Sequence, residues 1–91
     1  MDLTKYFKIR LPKEAILNEG HGVRFQSSKS NATLVASYIG QSRIDTRSMF
    51  KVEKIENGKD LADIFDGGTT IDNSGQILVV TEYPDIISTL L

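Results

Sequence analysis

The sequence predicts an α+β fold: a small single domain, spanning 1–91, dominated by antiparallel β-hairpins with two or three short helices, the last at the C-terminus. Three observations carry that expectation. Apolar and polar residues alternate in several short runs, the period of a half-buried strand. Clusters of Gly, Asn, Asp and Ser punctuate those runs at short intervals. Short helices are expected over 13–18, 59–65 and 85–91. Ninety-one residues suit one domain and not two.

Phe7, Ile9 and Leu11 alternate with Lys8 and Arg10, which predicts a strand with the apolar residues inward. Pro12 ends it, since proline cannot donate to a ladder, and stands near the start of a short helix expected over 13–18. Gly20-His21-Gly22 then breaks the chain, Val23 to Gln26 alternates again, and Ser27 to Asn31 is a polar turn. Ala32 to Ile39 admits two readings. Its Thr, Val, Tyr and Ile suit a strand paired with 23–26. As a helix, Leu34, Val35, Tyr38 and Ile39 would share a face, with Asn31 as cap and Gly40 as stop. The strand is preferred.

Met49 to Glu56 predicts another strand, with Phe50 and Val52 on one face, and Asn57-Gly58 a turn. Lys59 to Phe65 predicts a short helix with Asp60 at its positive end, stopped by Asp66-Gly67-Gly68. Thr69 to Ile71 and Gln76 to Thr81 flank Asp72-Asn73-Ser74-Gly75 as a hairpin, and 76–80 reads as a strand covered on both faces. Pro84 opens the last expected helix, over 85–91.

Composition narrows function by exclusion. A chain that is 40% hydrophobic and 25% charged has enough apolar surface to fold. It has no cysteine, which excludes disulfides, thiolate metal sites and thiol nucleophiles, and favours a reducing compartment. The N-terminal stretch is interrupted by charges and no apolar run could span a bilayer, so the expected location is the cytoplasm. His21 is the only histidine and lies between two glycines, which leaves no multi-histidine metal site and no nucleophile elbow. Glu14/Glu19 and Asp63/Asp66 are paired carboxylates of the kind solvated faces carry. No phosphate-binding glycine motif is present. These exclusions predict a protein that is not an enzyme and uses no cofactor or metal.

The net charge of −1 conceals a basic middle and an acidic end. Residues 22–55 hold six Lys/Arg against Asp45 and Glu53, whereas 56–91 hold Lys59 against seven carboxylates. Arg24, Lys29, Arg43, Arg47 and Lys51 are therefore the expected binding surface, for an anion or a partner. Within that stretch, Ala36-Ser37-Tyr38-Ile39-Gly40-Gln41-Ser42-Arg43 resembles the middle of a helix–turn–helix unit. Ala36 lies four residues before Gly40, the would-be turn glycine. The resemblance implies a DNA-reading helix over 41–51, with Arg43, Arg47 and Lys51 on one stripe. The strand-like pattern of 49–56 competes with it.

Ile86, Ile87, Leu90 and Leu91 crowd the C-terminus and must pack either on the chain's own core or across a homodimer interface. The leading expectation is a non-enzymatic binding protein of regulatory, accessory or inhibitory type. It would make protein–protein contacts through the 24–54 surface or a sheet edge, away from membranes. A DNA-binding regulator is the first alternative. A protein that sequesters a phosphorylated small molecule through Arg24, Arg43 and Arg47 is the second.

Overall fold

The computed structural model describes residues 5–87. Seven strands and one helix follow in the order β1 (Tyr6–Ile9), β2 (Gly22–Ser27), β3 (Thr33–Gln41), β4 (Ser48–Glu56), α1 (Leu61–Ile64), β5 (Thr69–Asn73), β6 (Gln76–Val80) and β7 (Asp85–Ile87). All pairings are antiparallel, in the sheet order β6-β5-β2-β3-β4-β1-β7. The expected α+β mixture is thus corrected to a mostly β fold in which α1, one turn long, is the single helix among the described residues.

Among the described residues two of the expected helices are absent, each for a physical reason. Residues 13–18 hold only a turn, with the Ala15 N–H donating to the Pro12 carbonyl at 3.1 Å. Leu11, Ala15 and Leu17 reach the core from an irregular segment, so their spacing mimicked a helical face. Residues 85–87 form β7, because β1 offers them a ladder that places Ile86 opposite Phe7; residues 88–91, with Leu90 and Leu91, lie outside the described residues. The third prediction holds in outline. Asp60 caps α1, its carboxylate accepting from Ala62 N at 3.0 Å, while Asp63 reaches back to the N–H of Asp60. Such a reciprocal cap is worth about 1 kcal/mol, and it lets one turn hold Leu61, Ile64 and the adjoining Phe65 against the sheet.

Alternation along the strands sends one row of side chains inward. Phe7, Ile9, Val23, Phe25, Leu34, Ala36, Phe50 and Ile71 are all buried. All four phenylalanines meet: Phe7 stacks on Phe50 at 5.3 Å between ring centroids, and Phe25 and Phe65 meet Phe7 edge-on at 5.6 and 5.8 Å. Phe7 and Phe25 belong to strands with two others between them, which a flat sheet would hold about 14 Å apart. The sheet therefore curls tightly and wraps its own core.

The curl all but closes into a barrel. β6 and β7 stand at opposite ends of the sheet order, yet only residues 81–84 separate them in the chain. One stretch, 76–87, pairs first with β5 and then changes partner to β1. Where β6 should meet the chain beyond β1, side-chain amides replace the ladder. Gln76 Nε2 donates to the Glu14 carbonyl at 2.6 Å, and Gln76 Oε1 accepts from Ile16 N at 3.0 Å, so the carboxamide imitates a peptide group. Asn73 Nδ2, buried, donates to the Ile16 carbonyl. Pro12 has no N–H to offer a ladder here. β6 is consequently not covered on both faces as expected: Leu78 and Val80 point in, but Ile77 and Val79 stay 61% and 64% exposed.

Candidate functional site at the mouth of the barrel

The cations expected to form one surface are dispersed. Arg24 stands on the outer face of β2, opposite Asp72 of β5. Lys29, in the turn after β2, lies 3.8 Å from Asp66, with both groups largely in water. Arg43 is exposed in the β3–β4 loop. Arg47 is engaged by two carboxylates, Glu82 at 3.3 Å and Asp85, and so fastens that loop to the stretch joining β6 to β7. Lys51, on the outer face of β4, has Ser37 and Tyr6 as its register neighbours. Arg24 and Lys51 share the outer face; the five do not converge.

The helix–turn–helix resemblance finds no helices, because 33–41 and 48–56 are the strands β3 and β4. Gly40, the would-be turn glycine, has φ +120° and sits where the β3–β4 register slips between Tyr38 and Gly40. Such a bulge needs a residue that tolerates positive φ. Ala36 is small because it is buried in the curl opposite Val52.

Convergence occurs elsewhere. The irregular segment 10–17 and the far end of the β3–β4 hairpin enclose a cleft of about 370 Å³ at the mouth of the barrel. Arg10 and Lys13 bring two positive charges to one wall. Gln41, Thr46 and Ser48 supply an amide and two hydroxyls from the other, with Tyr38 beside them. Leu11, Ala15 and Leu17 give it an apolar floor. Among the described residues neither Arg10 nor Lys13 has a carboxylate within ion-pair distance.

The hairpin end is held firmly. Ser42 N donates to the Arg47 carbonyl at 2.8 Å, Thr46 N to the Ser42 carbonyl at 3.1 Å, and Gln41 Nε2 to the Thr46 carbonyl at 2.7 Å. Asp45 ties the loop to β1 through Lys8 Nζ at 2.6 Å. That hydrogen bond, with those from Arg47 N and the Ser42 hydroxyl, outweighs partial desolvation and holds the Asp45 carboxyl down to about 2. Thr46 is consequently held at φ +60°. A β-branched residue in the left-handed region costs about 1–2 kcal/mol, and such strain persists only where neighbouring bonds enforce it.

Burial, reinforced by Glu19, pushes the Tyr38 phenol up from its ordinary value. It therefore stays protonated and able to donate across the neutral range. Glu19 also lies near Gly40, outside the residues that line the cleft, whose own charges are those of Arg10 and Lys13. His21 does not line it; its carbonyl accepts from Tyr38 N at 3.1 Å.

Gln41 and Thr46 lay inside the basic stretch singled out from sequence, whereas Arg10 and Lys13 were read only as parts of a strand and a helix. Their signal, two cations bracketing a proline just after a strand, is too common to mark a site. Among the described residues no helix is long and apolar enough to cross a membrane, and no group of three or more His, Cys, Asp or Glu could hold a metal ion. Comparison with protein families, characterised proteins and solved structures finds no match to this chain.

Proposed function

We propose that this chain is a non-catalytic binding protein that takes a small anionic ligand, a phosphate ester or a carboxylic acid with a short apolar body, in the cleft at the barrel mouth. One observation carries the reading: Arg10 and Lys13, without carboxylate partners among the described residues, face hydroxyl and amide groups across an apolar floor. Barrel mouths are preferred ligand positions, and about 300–1,000 Å³ is the usual span of such pockets. The Arg10 guanidinium offers two parallel donors to a carboxylate or phosphate. Lys13 adds a point charge, and the neutral Tyr38 hydroxyl and that of Ser48 supply further donors, while the Thr46 hydroxyl donates to the Asp45 carbonyl. Of the three expectations, sequestration of a phosphorylated molecule fits this geometry most closely, with Arg10 and Lys13 replacing Arg24, Arg43 and Arg47. The absence of cysteine favours a cytoplasmic setting.

The test is thermal denaturation with inorganic phosphate, citrate and a nucleoside monophosphate, each titrated at constant ionic strength. A true ligand stabilises by about 2.7 kcal/mol at one hundred times its Kd. That gain should vanish in Arg10→Gln/Lys13→Gln and survive in Arg24→Gln. Stabilisation by none of these anions, or a gain that persists in the double variant, would reject the reading.

A second reading, contact with a protein partner, is favoured by the distribution of apolar surface. Among the described residues six large hydrophobics are exposed, and five of them, Ile16, Ile77, Val79, Tyr83 and Ile86, lie on or beside the stretch that closes the barrel.

A further inference from the structure

We infer that the ligand of the mouth cleft carries a hydroxyl on its apolar body as well as an acidic head, as a hydroxy acid or a polyol phosphate does, and that Gln41 reads that hydroxyl. The inference rests on the anionic-ligand reading of this cleft and narrows it. Arg10 and Lys13 bring only donors to their wall, which suit the oxygens of an acid. The facing wall differs, because its hydrogens are already committed. Gln41 Nε2 lies 2.7 Å from the Thr46 carbonyl. A carbonyl only accepts, so the carboxamide nitrogen is turned to the hairpin and its oxygen is the other end. The Thr46 hydroxyl lies 2.6 Å from the Asp45 carbonyl and must donate to it, so it has no hydrogen for an anion. Among the described residues no hydrogen bond ends on Gln41 Oε1.

That oxygen sets a demand on the ligand. Gln41 closes β3 opposite Ser48, and its bond to Thr46 holds the carboxamide in place. The residue is exposed, so solvent satisfies Oε1 until a ligand covers it. A ligand that covers it and offers no hydrogen gives up a bond it does not replace. Of the donor groups a ligand can carry, a hydroxyl suits these walls best. It gives a hydrogen to Gln41 Oε1 and accepts one from Tyr38 or Ser48, whose own hydroxyls line the same cleft. An ammonium only gives, and it would share the cleft with two cations. Leu11, Ala15 and Leu17 take the C–H face of the carbon skeleton between the acid and the hydroxyl.

The experiment is titration calorimetry with two ligand pairs, each differing by one hydroxyl: hydroxypropyl phosphate against propyl phosphate, and malate against succinate. In wild type the hydroxylated member of at least one pair should bind about tenfold more tightly, the loss expected when a covered acceptor goes unmatched. Preference in the phosphate pair alone assigns a polyol phosphate, and in the carboxylate pair alone a hydroxy acid. Gln41→Met should abolish the preference while propyl phosphate and succinate keep their wild-type affinities. Equal affinities within both pairs in wild type would overturn the inference and leave the anion cleft standing; that comparison needs no folded variant. A preference that Gln41→Met keeps would overturn it equally. Binding of no member of either pair removes the cleft reading and the inference with it, so the two failures are told apart.

Discussion

Replacing Gln76 by alanine tests how the barrel is closed. Its carboxamide makes two bonds across the seam, to Glu14 O at 2.6 Å and from Ile16 N at 3.0 Å. The residue is half-buried, so each bond contributes a net of about 0.5–1 kcal/mol and the pair about 1–2 kcal/mol. For a domain of this size each kcal/mol moves Tm by about 4–8 °C, so Gln76→Ala should melt roughly 4–16 °C lower. Gln76→Glu is sharper. It is nearly isosteric and still accepts from Ile16 N, but it sets a carboxylate oxygen against the Glu14 carbonyl. It should be at least as damaging as alanine at pH 7 and should partly recover when acid protonates it. Denaturation followed by circular dichroism gives the stability, and hydrogen exchange at the Ile16 amide reports the seam itself. Unchanged Tm with unchanged Ile16 exchange in both variants would refute closure by side-chain amides.

Asp45 should make stability fall in acid. Its carboxyl is held at about 2 against an ordinary 3.8, so its contribution is complete above 3.8 and lost as pH falls toward 2. Asp45→Asn should remove that part of the acid dependence, measured as the change in Tm between pH 5 and pH 2. Thr46→Asn should raise stability by about 0.5–1.5 kcal/mol, since asparagine tolerates φ +60°, and leave anion affinity unchanged, since the Thr46 hydroxyl donates to the Asp45 carbonyl; calorimetry and ligand titration read the two effects separately. Arg47→Met should cost about 1–2 kcal/mol in urea unfolding by releasing Glu82 and Asp85, with no effect on anion affinity.

Strand positions were largely legible because alternation at Phe7-Lys8-Ile9 and Val23-Arg24-Phe25 states directly which residues face a core. The Asp60 cap was legible because a carboxylate at a helix start is a local signal. Closure was not. It depends on Gln76 and Asn73 meeting Glu14 and Ile16, about sixty residues away in the chain, and an amide side chain looks the same in a turn as in a seam. Gly40 misled for a related reason. A positive-φ glycine serves a helical turn and a β-bulge alike, and only the pairing partner decides. The site was missed because charge was weighed by stretch of sequence. Arg47, rated as a ligand group, is neutralised by carboxylates from the acidic end, while Arg10 and Lys13 gain importance only because the curl carries them to the mouth.

Amide chemical-shift mapping tests the anionic-ligand cleft most directly. Titrating the isotope-labelled protein with inorganic phosphate and citrate should shift the amides of Arg10, Lys13, Gln41, Thr46 and Ser48 in a saturable way, and leave those of Arg24, Lys29 and Lys51 in place. Saturable shifts centred on Arg24, Lys29 and Lys51, or none at the mouth for either anion, would contradict it.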